Sequence, residues 1–457
     1  MKEKKKNLSL GFIAVLALLL LVPAIGFLAV RLEGKKPEIQ VDLPAPAVGA
    51  SQAFSISVAD SRSGLRRVQV AVIKEGRAHV LAEETYPSAG FFGGGRVEET
   101  QLTVVLEPAA LGLDDGDALV RVFAEDRSWR RWWNGNRAVL EKSVQIDTRA
   151  PVVEAVTKIH NVTPGGAGLA AYRVDEDCPR HGVRVGDRFF PGHPAPFGQD
   201  GLNLAFFALA HDQGGSTPLF LEARDVAGNV GRTGFGHHIR AKRFRSDKIR
   251  ISERFLQQTL PKFDASVPPA EGETPVERFL RINRDLRKAN YQQLTRIAEQ
   301  TDARLYWQGA FGRLPGSARQ AGFADRRQYL YQGKVIDRQV HLGIDLASVE
   351  HSPVPAANTG RTTFAGELGI YGRTVLLDHG FGLFSMYAHL SRIDVEPDAV
   401  VSKGDIVGLT GTSGLAGGDH LHFSMIVAHT FVDPVEWWDA DWIHNNITTK
   451  IEALAGE

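Results

Sequence analysis

Hydrophobic and polar positions divide this chain into three regimes. After Lys2, Lys4, Lys5 and Lys6, the stretch from Asn7 to Val30 carries no charge and is nearly all apolar from Leu8 onward. At 1.5 Å per residue this is enough helix to cross a hydrocarbon core of ~30 Å. Its one breaker, Pro23, is tolerated in membrane helices. A cleavable signal would show an apolar core of ~7–15 residues followed by a small-x-small site. Phe27-Leu28-Ala29-Val30-Arg31 does not provide such a site. The pattern predicts a cytoplasmic tail at 1–6 and an uncleaved transmembrane signal anchor at 7–30. The rest of the chain then faces the periplasm or extracytoplasmic space, held at the cell inner membrane by a single pass. The basic tail stays inside by the positive-inside tendency, although Arg31, Lys35 and Lys36 on the far side weaken that argument.

From Pro37 to Arg245 the period falls to two. Runs such as Phe54-Ser55-Ile56-Ser57-Val58 and Val68-Gln69-Val70-Ala71-Val72 alternate between Gly, Asp and Pro clusters, as sandwich strands do. Val120 to Asp126 resembles Leu219 to Asp225, and the second copy continues Val226-Ala227-Gly228-Asn229. Together with Ile146-Asp147-Thr148-Arg149-Ala150-Pro151, these phrases resemble bacterial immunoglobulin-like domains. Two such β modules are expected, at 37–148 and 149–245. Trp129, Trp132 and Trp133 lie among Arg130 and Arg131; a loop folded over the sandwich edge is preferred to a binding patch. The basic run Arg240 to Lys248 reads as solvated linker.

The third regime begins after Pro268-Pro269. Thr274-Pro275-Val276-Glu277 is a capping box with proline at the first helical position. Apolar residues then recur at Val276, Phe279, Leu280, Ile282, Leu286, Leu294 and Ile297, mostly at helical spacing. A helical linker is expected over 246–303, packed on the domain that follows or covering it.

Composition narrows the function. A length of 457 residues suggests about three domains. Lys plus Arg and Asp plus Glu both number 53, so no overall basic field argues for nucleic acid. The single cysteine, Cys178, cannot form an internal disulfide and reads as an incidental thiol.

The chemistry lies in a β-rich region at 304–440, followed by a tail at 441–457. Three patches stand out: His341-Leu342-Gly343-Ile344-Asp345, Tyr387-Ala388-His389-Leu390 and His420-Leu421-His422-Phe423. On a strand His420 and His422 share a face, with Leu421, Phe423 and Met425 turned to the core. His341 and Asp345 would be ~13 Å apart on a straight strand, and Gly343 permits a bend between them. Two imidazoles and a carboxylate suit zinc with one position left open. His351, His379 and His429 have no motif partners and read as ordinary surface or turn residues. Tyr371 and Tyr387 read as packing aromatics.

The region resembles the lysostaphin-type, or LytM-domain, zinc endopeptidases that hydrolyse peptidoglycan. The likeness rests on His341 to Asp345, Met386-Tyr387-Ala388-His389-Leu390, Gly408-Leu409-Thr410-Gly411-Thr412-Ser413-Gly414 and Asp419 to Phe423. Phe323-Ala324-Asp325-Arg326-Arg327 resembles the lead-in, with Ala where glycine is usual. The resemblance implies an antiparallel-β peptidase domain. It implies Zn2+ on His341, Asp345 and His422, with His389 and His420 as catalysts in the cleft. The expected protein is mainly β: membrane helix, two immunoglobulin-like modules, helical linker and a peptidase that cuts peptidoglycan crosslinks. The alternative is a non-cleaving regulator or wall anchor of the same fold.

Overall fold

The computed structural model describes residues 9–90, 93–196, 198–199 and 201–455. The expected tail at 1–6 lies outside them. Ser9–Arg31 forms one helix through Pro23, long and apolar enough to cross a membrane, and its large apolar side chains from Phe12 to Ile25 are exposed.

The chain forms two compact units, one up to Ala150 plus Arg224–Asn229, the other Pro151–Ala223 plus everything from Val230. In the first, Glu38–Asp42, Gln52–Ala59 and Glu99–Leu106 make a three-stranded sheet. A five-stranded sheet centred on Gly116–Asp126 faces it. Phe54, Ile56 and Val104 of one sheet share a core with Val70, Val72 and Val122 of the other. Alternation thus does what the sequence predicts, burying one face per strand.

This unit also grips the end of the helix. Trp129 N–H donates to the Arg31 carbonyl at 2.6 Å, and Arg130 Nε donates to that of Leu32 at 2.9 Å. Asn136 Nδ2 donates to the carbonyls of Glu33 and Lys35. The Trp129 ring stands edge-on to Phe27. Trp132 does not fold over the sandwich: it is 87% exposed, because Arg131, Trp132 and Trp133 turn through positive φ and aim it outward.

The second unit holds another pair of four-stranded sheets, a helical segment and the C-terminal sheet around one continuous core. Phe190 stacks on His429 and His193 on Phe381. Ala167 N–H donates to Glu436 at 3.0 Å. The segment from residue 246 opens with a strand, Ser246–Ile251, which pairs in parallel with Asp325–Tyr331, the first arm of a hairpin. The capping box at Thr274 forms in full. Its helix, Pro275–Arg281, passes through a π-turn at Ile282–Leu286 into the helix Arg287–Ala298.

The C-terminal sheet is antiparallel. Its order is Ala318–Ala321, Ile344–Ala347, Leu421–Val427, Leu383–Leu390, Arg373–Asp378, Gly360–Glu367 and Val400–Val401. Every residue of Leu383–Leu390 and Leu421–Val427 is buried, so the two central strands are rigid platforms for what they carry.

Candidate metal centre

The five polar residues singled out in the sequence converge on one place. His341 ends the strand Lys334–His341, and Asp345 is second in the next, Ile344–Ala347. His422 pairs with Asp345 across the antiparallel ladder. His341 Nε2, His422 Nδ1 and Asp345 Oδ1 form a triangle with sides of 2.9, 2.9 and 3.0 Å. All three side chains are buried or nearly so.

The outer atoms of each group fix which way the lone pairs point. His341 Nδ1 donates to the Gly322 carbonyl at 2.8 Å, leaving Nε2 unprotonated toward the triangle. His422 Nε2 lies 3.1 Å from Ser424 Oγ, which itself donates to the Leu342 carbonyl, so Nδ1 carries the inward lone pair. Burial pushes His422 down to about 4, so it is neutral at pH 7. Asp345 is held well below the usual carboxylate range, burial acting against this and the adjoining His341 and His422 with it. Arg327 Nη2 donates to its second oxygen, Oδ2, at 2.9 Å. Three lone pairs therefore face one point, each oriented by an outer partner. That is how a divalent cation of the zinc type is held, and the residues fit it.

Gly343 serves the site by its size. Its φ is not in the left-handed region. A Cβ there would come within 2.6 Å of His422 Nε2 and 2.5 Å of Ser424 Oγ.

His389 and His420 stand beside the triangle, ring centroids 4.9 Å apart. Two residues, Ala388 and His389, bulge opposite Thr374, and His389 sits at φ 63°. Such a bulge re-aims a side chain. Here it sends Tyr387 into the core, under Ser385 and Ala357, and His389 into the cavity. His389 Nδ1 donates to the Ser413 carbonyl at 2.9 Å and His420 Nδ1 to that of Gly418 at 2.7 Å, so each Nε2 is free to accept. Burial, then the neighbouring His420 and His422, push His389 well below the ordinary imidazole range. His420 Nε2 lies 3.6 Å from Asp345 Oδ1.

The glycine run expected to accompany the site positions Ser413. Gly414 has φ 63°, and a Cβ there would meet Gly372 N at 2.5 Å. The loop therefore lies flat on the backbone and presents the Ser413 carbonyl to His389.

Tyr371 lines the same cavity, its ring 5.6 Å from that of His422. His379 is no surface residue. It is fully buried between the Thr359 carbonyl and Ser385 Oγ, and burial pushes it down to about 4. The turn around it folds inward. The oriented carbonyls of Gly322 and Ser413 carry no side-chain signature and were not legible in the sequence.

The cavity is small, about 230 Å³. Ile249 of the strand Ser246–Ile251 and Phe255, Phe279 and Arg287 of the helices that follow form part of its wall.

A β-sheet domain thus carries a buried two-histidine, one-carboxylate cluster that could hold a metal ion, with two further histidines at its rim. Residues 339–434 match Peptidase family M23, and the C-terminal domain is an M23 domain of the LytM type. The chain is 36% identical over 97 residues to the DD-carboxypeptidase/endopeptidase Mpg of Neisseria meningitidis serogroup B, covering 21% of this chain and 22% of that protein. It is 32% identical over 123 residues to the peptidoglycan DD-endopeptidase ShyA of Vibrio cholerae, covering 26% and 28%. The chain thus spans about a quarter of the length of these relatives. A solved structure of a putative peptidase M23 from Pseudomonas aeruginosa aligns with 61% of this chain and 95% of its own, at 21% identity and a TM-score of 0.38.

Proposed function

We propose that this protein is a membrane-tethered, zinc-dependent endopeptidase that cuts peptide crosslinks of peptidoglycan. The carrying observation is the triangle of His341, Asp345 and His422, with lone pairs inward and outer atoms occupied. A zinc ion bound there supplies Lewis-acid polarisation of a carbonyl. His389 and His420, each with a free Nε2, handle the protons of the attacking water and the leaving amine. The relative named as a peptidoglycan DD-endopeptidase supports the substrate class, and the one named as a DD-carboxypeptidase/endopeptidase supports the reaction. The helix Ser9–Arg31 supports a single-pass anchor in the inner membrane with the catalytic domain in the periplasm. Exposed Trp132 beside the helix end suits the headgroup region, where indoles concentrate. The two sandwiches act in this reading as immunoglobulin-like spacers.

The test is zinc content and release of soluble fragments from purified peptidoglycan, beside a His341→Ala, His422→Ala variant. About one zinc per chain and cleavage, both lost in the variant, are expected. Zinc without cleavage would sink the endopeptidase reading. The second reading, a non-cleaving regulator, is favoured by one observation. At about 230 Å³ the cavity is below the ~300–1,000 Å³ of ordinary ligand pockets.

A further inference from the structure

A second concavity adjoins the catalytic one. It has a volume of about 640 Å³, and Arg287 and Arg327 line both. One wall is the helical segment, with Arg284, Arg287 and Lys288; the other is the hairpin 325–341, with Arg326, Arg327 and Arg338. Six cationic side chains face one groove in a chain whose net charge is zero.

Their own partners do not neutralise them. Arg284 pairs with Asp337 at 2.8 Å and Arg327 with Asp345 at 2.9 Å. Arg287 donates only to Asn283, to its carbonyl and its Oδ1. Among the described residues, Arg287, Lys288, Arg326 and Arg338 make no ion pair. Scattered surface cations turn apart into water. These converge on a concave wall, at a cost in mutual repulsion that an anionic ligand would relieve. The π-turn Ile282–Leu286 contributes to this convergence, since its extra residue shifts the face on which Arg284 and Arg287 emerge.

We propose that this groove is a subsite for an acidic peptide, taking free carboxylates on one side of the bond to be cut. This rests on the endopeptidase reading of the adjoining site. Guanidinium forks bind carboxylates in bidentate fashion, and four unpaired cations suit a ligand with two or more carboxylates. Arg327 reaches Asp345 from the shared wall, so a peptide held in the groove runs directly to the triangle.

The experiment uses the full chain in detergent and an Ala-γ-Glu-diaminopimelate-Ala-Ala pentapeptide, with the carboxylates of its γ-Glu and diaminopimelate residues that lie outside the peptide bonds left free or amidated. Binding is followed by calorimetry. The free form should bind at least about tenfold more tightly, from charge-assisted pairs that amidation removes. An Arg326→Gln, Arg338→Gln variant should bring the two forms within about twofold, with zinc content and Tm retained. Should that variant fail to fold, Lys288→Gln on the opposite wall should narrow the same ratio. Equal affinity for the two forms, no binding of either, or variants that weaken both alike would overturn the proposal. Cleavage of crosslinked dimers is scored separately. Carboxylate-dependent binding without cleavage leaves the subsite standing and removes the endopeptidase reading; cleavage indifferent to amidation does the reverse.

Discussion

Arg327 Nη2 and Asp345 Oδ2 lie 2.9 Å apart, on the side of the carboxylate away from both histidines. The guanidinium therefore fixes the rotation of Asp345 and leaves Oδ1 for the triangle. Outer partners of this kind are worth ~10–100-fold in metal affinity. Arg327→Ala should weaken zinc binding by about that factor, measured by competition with a chromophoric chelator. Unchanged affinity would mean that the ladder pairing of Asp345 with His422 suffices.

Gly343→Ala places a methyl group within 2.6 Å of His422 Nε2. The imidazole must move, and overpacking of this sort costs ~1–3 kcal/mol. Expected are loss of zinc and activity with a Tm reduced by several degrees, checked by metal analysis and thermal scanning. Full zinc occupancy would show that the strand shifts instead.

Ser424→Ala removes the partner of His422 Nε2 and leaves a buried donor unpaired. The expected cost is ~1–3 kcal/mol of stability, read by denaturant titration, with weaker zinc binding beside it.

Glu436 should make stability depend on pH. Burial raises its carboxyl to about 7, against which the Ala167 N–H bond acts only in part. An acid with a higher pKa in the folded state binds its proton more tightly there than when unfolded. Its stabilising effect is complete below the unfolded pKa, near 4.5, and is lost as pH rises through about 7. Glu436→Gln should therefore gain in Tm relative to the parent between pH 5 and 8. A constant difference across that range would sink the assignment.

In the first unit, Asn136 Nδ2 also meets Asp126 Oδ2 at 2.7 Å while bridging to Glu33 and Lys35. Asn136→Ala leaves buried acceptors unmet and should cost ~1–3 kcal/mol, measured on the thermal transition of that unit.

How much of this could be read from residues alone depends on whether the signal lay in side chains. His341, Asp345, His389, His420 and His422 carry their chemistry in the sequence, and the structure brings all five together. Ser424 could have been found, because it shares a face with His422 at period two. Gly343 reads in the sequence as a point of flexibility, yet its close approach to His422 matters more, and contacts across strands have no local signature. His379 reads as a surface residue because turns are usually exposed, whereas this turn is packed under Arg304 and Phe311. Nor does alternation in the second sandwich announce that its core continues into the C-terminal sheet; His193 on Phe381 is visible only once the chain is folded.

The hydrogen bonds that bolt Arg31, Leu32, Glu33 and Lys35 into the first sandwich have a mechanical meaning. A loose tether of n residues would let its cargo wander over ~5–6 Å × √n. Here the sandwich begins where the helix stops, with no slack between them. Under the anchor reading, any tilt or rotation of the helix in the lipid is passed whole to the sandwich, which stands on the membrane like a post in its footing.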